Sequence, residues 1–267
     1  MLALDAVADM VRPALARSDG RLVVLGLCGA QGSGKSTLAL GLQTRMEAQG
    51  VATALLSIDD LYRTGAERDV LAAQVHPLLR TRGVPGTHDV TLGLRVIAAL
   101  ERGEATLLPR FDKGADDRLP PSQWERAAAG TRLLILEGWC VCAVPQAAAA
   151  LGAPVNALER DEDGDGRWRH FVNAALAGDY QALFARTDRL VMLAAPGFDV
   201  VLRWRTQQEQ ALRARTGQGM RDAQVGRFIA HYERLTRHML AEMPERADLV
   251  VRLGADRVVL GIEGRGV

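Results

Sequence analysis

Apolar residues along this chain fall into two alternating rhythms. Short, nearly continuous runs at residues 22–28, 52–58, 132–136 and 189–193 have the character of strands buried on both faces. Between and after them, apolar positions recur three and four residues apart, which predicts helices at 35–48, 90–101, 168–185, 199–215 and 223–242. The last is the clearest, with Val225, Phe228, Ile229, Tyr232, Leu235 and Met239 on one stripe. Leu4, Val7, Met10, Val11 and Leu15 predict a short amphipathic helix at the start, and residues 249–253 and 257–262 a final pair of strands. Strands alternating with amphipathic helices are the signature of an α/β fold, a parallel sheet with helices on both faces.

Residues 62–130 interrupt this rhythm. The stretch is polar and contains His76-Pro77, Val84-Pro85-Gly86 and Leu119-Pro120-Pro121, and it exceeds an ordinary connection. Ligands of open α/β sheets bind beyond the carboxyl ends of the strands. An insertion after the second strand is therefore placed to wall a substrate pocket. No linker or repeat divides the chain, so a single domain over residues 1–267 is expected, with this insertion and a lid region at about 197–220.

Composition narrows the class. With 267 residues, 48% hydrophobic, 24% charged and net charge +1, the chain is neither disordered nor collagen-like. Near-neutral charge argues against a nucleic-acid partner, and no obligate protein partner is evident. The longest apolar run, residues 133–144, carries Glu137 in its middle, so no membrane span is expected. Asp5 and Asp9 interrupt anything resembling a signal peptide. Cys28, Cys140 and Cys142 lie in apolar runs with no second pair at zinc spacing, which predicts small buried side chains in a reducing cytoplasm.

The strongest motif is Gly29-Ala30-Gln31-Gly32-Ser33-Gly34-Lys35-Ser36, followed by Thr37, between a predicted strand and a predicted helix. It matches the phosphate-binding loop G-x-x-x-x-G-K-[ST] in full. Backbone N–H groups of such a loop surround phosphate oxygens, Lys35 reaches the terminal phosphates, and Ser36 offers a hydroxyl to Mg²⁺. Of 33 basic residues only Lys35 and Lys113 are lysines. Lys113 sits in Asp112-Lys113-Gly114-Ala115, which fails the Asn/Thr-Lys-x-Asp pattern of guanine recognition, so an ATP-dependent transferase leads.

Phosphoryl transfer to a hydroxyl needs a held metal and a proton acceptor. Asp59, where the second strand ends, is assigned as acceptor. Glu137, at the end of the buried strand containing Leu133-Leu134-Ile135-Leu136, is assigned as a Mg²⁺ partner. The competing readings are a helix cap for Asp59 or Asp60 and a structural ion pair for Glu137. After the fourth run, a helix bearing Arg213 and Arg215 begins near Arg203 and Arg205. Those last two are assigned to charge on the transferring group, against the alternative of a solvated face. Asp161-Glu162-Asp163-Gly164-Asp165-Gly166 matches half a calcium loop, but Val172 stands where the bidentate Glu belongs. A solvated acidic loop capping the next helix is expected instead.

Together, the phosphate loop, Ser57-Ile58-Asp59-Asp60-Leu61-Tyr62 and Leu136-Glu137-Gly138 resemble the phosphoribulokinase, uridine kinase and pantothenate kinase superfamily of P-loop NTPase fold. Within it the chain resembles the plant-type D-glycerate 3-kinases. The segments that carry this are Arg82-Gly83-Val84-Pro85-Gly86-Thr87-His88-Asp89, Pro109-Arg110-Phe111-Asp112-Lys113-Gly114, Asp116-Asp117-Arg118, Glu137-Gly138-Trp139, Asp165-Gly166-Arg167-Trp168-Arg169 and His231-Tyr232-Glu233-Arg234. The resemblance implies transfer of the ATP γ-phosphate to the 3-hydroxyl of D-glycerate with Mg²⁺. It also implies that Lys35 and Ser36 take the loop roles, Asp59 that of proton acceptor and Glu137 that of metal carboxylate. A small hydroxy acid needs a fixed cation for its carboxylate and polar groups for its hydroxyls. Arg110, Lys113 and Arg118 are candidates for the first, and Tyr62, His88 and Asp89 for the second. Core packing of Tyr62, helix capping by His88-Asp89 and surface exposure of Lys113 are the rival readings. Cys142 departs from the small residue, such as Gly, expected in the turn after Trp139. Two alternatives stand: a kinase of uridine, pantothenate or a sugar phosphate, and an ATP-binding regulatory factor.

Overall fold

In a computed structural model, residues 2–217 and 219–265 are described, without the side chains of Arg215 and Thr216. The side chain of Arg215, and position 218 of the expected lid region, thus lie outside the described residues. The chain begins with helix α1 (Leu2–Arg17), strand β1 (Val23–Gly29), α2 (Lys35–Ala48) and β2 (Thr53–Ser57). The insertion then carries α3 (Gly65–Gln74), α4 (Val90–Glu101) and four short strands: β3 (Thr106–Leu108), β4 (Phe111–Asp112), β5 (Asp117–Arg118) and β6 (Glu125–Ala127). Next come β7 (Leu133–Gly138), α5 (Ala157–Glu162), α6 (Arg167–Ala177), α7 (Asp179–Phe184) and β8 (Arg189–Ala194). The chain continues through α8 (Phe198–Thr216), α9 (Asp222–Glu242), β9 (Leu249–Leu253) and β10 (Val259–Gly264).

The central sheet has the order β10-β9-β8-β1-β7-β2, parallel except for β10, which returns antiparallel to β9. Because successive strand residues point to opposite faces, β1 divides its side chains between two cores. Val23, Leu25 and Leu27 pack with α1, α2 and α8, whereas Val24 and Cys28 pack with α4, α7 and α9. This is the predicted α/β architecture, helices on both faces of a mostly parallel sheet. The order turns around β1, with β7 on one side and β8 on the other. At such a switch point the strand ends open a crevice, and the loop following β1 lies there.

Three expectations need correction. The helix predicted at 168–185 is two helices, α6 and α7, broken at Gly178, whose backbone (φ −90, ψ −120) leaves the helical region. The acidic loop does cap α6, but not as a solvated segment. Asp163 is 0% exposed, accepts from Trp168 N at 2.7 Å and Arg169 N at 3.2 Å, and pairs with the Arg169 guanidinium at 2.9 Å. A cation of the chain itself therefore occupies that carboxylate. The insertion, too, is not all crevice wall, since Val96, Ile97 and Leu100 of α4 belong to the core under the sheet. The three cysteines are buried and unpaired, and burial pushes the Cys142 thiol up to about 11. Cys142 adopts φ 60, a left-handed conformation that suits glycine, in keeping with the residue expected there. Among the described residues no helix is long and apolar enough to cross a membrane.

Candidate active site

The loop between β1 and α2 is shaped by backbone conformations that side chains disfavour. Gly32 has φ +80, and a Cβ there would lie 2.7 Å from the Cβ of Trp204 on α8. Both the turn and the neighbouring helix therefore require glycine. Gly34 N-caps α2 without any side-chain cap, and the first turn of α2 holds no acidic residue. Its free N–H groups and positive helix end are thus left facing the crevice, as anion binding demands.

Two carboxylates stand beside this loop. Ser57, the last residue of β2, is in register with Glu137 of β7, which in turn pairs with Leu27 of β1. Glu137 is 5% exposed, and its Oε1 accepts the Ser36 hydroxyl at 3.1 Å. Its Oε2 is buried with no partner. An orphaned carboxylate oxygen in low dielectric calls for a cation, and beside a phosphate loop a hard divalent ion such as Mg²⁺, completed by phosphate oxygens and water, fits this donor set.

Asp59 lies two residues beyond β2, in a 3₁₀ turn whose N–H is capped by Ser57 Oγ at 3.3 Å. The Lys113 ammonium donates to its Oδ2 at 2.6 Å and the Tyr62 hydroxyl to its Oδ1 at 2.7 Å. Burial alone would raise the Asp59 pKa, but attraction to Lys113 and Lys35 and these hydrogen bonds hold it well below the usual carboxylate range. It is ionised at any working pH. Tyr62 is buried, stacked on His88 at 4.7 Å and edge-on to Phe111 at 5.2 Å. Burial pushes the His88 pKa down to about 3, so the ring is neutral, with Nδ1 2.5 Å from the Tyr180 hydroxyl.

The remaining candidates separate. Asp89 caps α4 by accepting from Leu92 N at 2.9 Å and pairs with Arg118 at 3.3 Å. Arg118 also donates to the Tyr62 carbonyl at 2.8 Å. Arg110 reaches Asp60 at 3.3 Å and Glu125 at 2.7 Å, so its donors brace the insertion. Asp60, which also accepts from Phe111 N, is pushed up to about 6 by burial against the pull of Arg110. Lys113 lines a crevice of about 1090 Å³ together with Arg68, Arg82, Asp116, Arg205 and Glu209. Arg205 pairs with Glu209 and lies 5.5 Å over Phe228. Arg203, two positions away and hence on another face of the helix, is exposed and reaches the Ala255 carbonyl at 3.4 Å. Thus α8 brings Arg205, and not Arg203, to the crevice.

Two features escaped the sequence reading. Arg257, in the turn between β9 and β10, donates to the Gly32 carbonyl at 2.8 Å and stacks on Trp204 at 5.3 Å, bracing the phosphate loop from the far edge of the chain. No local pattern marks it. Asp116 gathers Arg68, Arg80 and Arg82. Arg82 and Asp116 stand in segments shared with the resembled family, which was the available signal.

A phosphate loop at the switch point of this sheet, with carboxylates at the ends of β7 and β2, the two strands to one side of β1, defines a P-loop small-molecule kinase. No family model matches the chain. It is 38% identical over 245 residues to an uncharacterized kinase of Schizosaccharomyces pombe, covering 87% of each chain. It is 30% identical to the chloroplastic D-glycerate 3-kinase of Arabidopsis thaliana, over 79% of this chain and 46% of that one. A D-glycerate 3-kinase structure from Cryptococcus neoformans superposes with TM-score 0.83 at 26% identity, covering 99% of this chain and 100% of the other. The chain belongs to the plant-type D-glycerate 3-kinase family of P-loop kinases.

Proposed function

We propose that the protein transfers the γ-phosphate of ATP to the 3-hydroxyl of D-glycerate, releasing ADP and 3-phosphoglycerate. The observation that carries this reading is Asp59, an ionised carboxylate held between Lys113 and Tyr62 beside the Ser36–Glu137 pair. The substrate hydroxyl attacks phosphorus, the bond to the ADP oxygen breaks, and the hydroxyl proton passes to Asp59 Oδ2 or Oδ1. Lys35 and the amides of residues 29–37 hold the phosphates. Arg205, which lines the same crevice as Lys113, is the residue assigned to the charge that develops on the transferring group. Mg²⁺ held by Ser36 and Glu137 would neutralise phosphate charge during transfer.

The acceptor side favours a small polar acid over a nucleoside. A nucleoside pocket needs an open aromatic face, yet Tyr62 and Phe111 are buried against each other and Trp124 is tied to the Leu119 carbonyl at 2.7 Å. The test is ADP formation by purified protein with Mg-ATP, which should require D-glycerate. Equal turnover on uridine or pantothenate, or none on glycerate, refutes the reading. Phosphorus NMR of the product distinguishes a 3-phosphate from a 2-phosphate.

A further inference from the structure

Two of the cations that could meet the acceptor's carboxylate, Arg110 and Arg118, are already neutralised by carboxylates of their own. Arg110 braces Asp60 and Glu125, and Arg118 braces Asp89 and the Tyr62 carbonyl. The wall of the crevice supplies another. Three guanidinium groups, from Arg68, Arg80 and Arg82, converge on the single carboxylate of Asp116, and among the described residues only Arg80 has a second carboxylate partner, Asp69. One positive charge is thus left over, the complement of a monoanion. Arg68 is fully buried and donates to the carbonyls of Arg63, Arg80 and Asp116. Arg80 lies at the outer end of the cluster, half exposed against Asp69. Arg82 is 23% exposed, lies 5.5 Å over the Phe111 ring, and touches the carbonyl of Lys113, whose own ammonium holds Asp59.

The backbone under Arg82 is clamped. Its carbonyl accepts the Tyr232 hydroxyl at 3.1 Å, and the next carbonyl, of Gly83, accepts the Trp139 indole N–H at 2.9 Å. Gly83 has φ +135, and a Cβ there would lie 1.9 Å from the Tyr232 oxygen. Only glycine lets the two rings close on this peptide. Trp139 follows the metal-site Glu137 by two residues, so one strand end fixes both the phosphate side and the acceptor side of the crevice. Fixing the backbone from which a recognition group projects serves the orientation of a small substrate.

Resting on the reading of the site as a hydroxy-acid kinase, we infer that Arg82 is the carboxylate anchor that selects the acceptor, with Trp139 and Tyr232 as its positioning residues. Arg82 already holds Asp116 through Nη1, so the acceptor's carboxylate would meet the remaining edge of the planar guanidinium, a fit that a lysine does not reproduce.

The test compares kcat/KM for D-glycerate with that for its neutral amide, D-glyceramide, a ratio that does not depend on how much enzyme is folded. Wild type should prefer the acid by roughly 10²-fold, the effect of a charge-assisted pair. Arg82→Gln should remove most of that preference through KM for the acid, leaving the amide and the KM for ATP within about threefold of wild type. Arg82→Lys, which keeps the charge, should retain an intermediate preference. Tyr232→Phe should raise KM for the acid severalfold and leave KM for ATP unchanged. An equal fall on acid and amide, a parallel rise in the KM for ATP, or a wild type indifferent to the carboxylate would overturn the inference. Wild type inactive on both compounds refutes the glycerate reading alone, and the comparison then moves to pantothenate against panthenol and to uridine. A best acceptor without a carboxylate in that panel overturns the anchor as well, whereas a best acceptor with one, lost selectively in Arg82→Gln, supports it.

Discussion

Replacing Asp59 with Asn removes one charge from the crevice and little of its shape, because an amide oxygen still accepts the Tyr62 hydroxyl now at 2.7 Å. Two things are lost: the partner of the Lys113 ammonium and the acceptor for the substrate's proton. They differ greatly in size. Lys113 is 61% exposed, so its ion pair is screened by water and contributes on the order of 1 kcal/mol or less to stability. A chain of 267 residues unfolds with an entropy of about 0.6 kcal/mol per kelvin, so the melting midpoint should fall by no more than about 2 °C. A positioned general base contributes about 10²–10⁴ in rate, or about 3–5 kcal/mol of barrier. Asp59→Asn is therefore expected to lose at least about a hundredfold in kcat while melting close to wild type and binding ATP normally. Coupled ADP release, titration with a fluorescent ATP analogue and a thermal melt read the three quantities separately. Turnover above a tenth of wild type would refute the proton-acceptor role. A loss of ATP affinity as large as the loss of turnover would move Asp59 to the nucleotide side.

Glu137→Gln should raise the Mg²⁺ concentration needed for half-maximal activity by about 10–100-fold; an unchanged metal dependence would leave Glu137 as a structural partner of Ser36. Arg205→Ala should lower kcat by roughly 10²–10³-fold, as loss of one charge-stabilising donor does, whereas Arg203→Ala, on the outer face of α8, should stay near wild type. Equal effects of the two would contradict the placement of α8. Asp60 carries a pKa raised from 3.8 to about 6, so the folded protein binds a proton that the unfolded chain has released. Stability is then greatest below that window and falls as pH rises through it. Asp60→Asn should flatten the melting temperature between about pH 4 and 6, and parallel curves for variant and wild type would show that Asp60 is not the group responsible.

Much of this site is local in the chain and was legible there. A strand, a glycine-rich turn and a helix follow one another within residues 23–48, and the carboxylates Asp59 and Glu137 stand just where buried runs end. Local order of that kind is encoded by periodicity and spacing. Which arginine meets which carboxylate is not. Arg82, Arg110 and Arg118 are alike in sequence, and only the packing of α3, the β4–β5 ribbon and α4 commits two of them to Asp60 and Asp89. The break at Gly178 and the burial of Asp163 were missed for a related reason. An apolar stripe continues across a kink, and an acidic run looks solvated until an arginine from the next helix closes on it.

The peptide following Arg82 has a consequence for the history of the chain. Residues 83, 139 and 232 are remote in sequence, yet they form a single contact in which a glycine makes room for a tyrosine and accepts from a tryptophan. A side chain acquired at 83 collides with the ring at 232, and loss of the indole strands a buried carbonyl. No one of these positions is free to drift by itself. Across related kinases the three should be inherited or lost as a unit, so their joint presence would sort the chains that keep this acceptor wall from those that share only the phosphate loop.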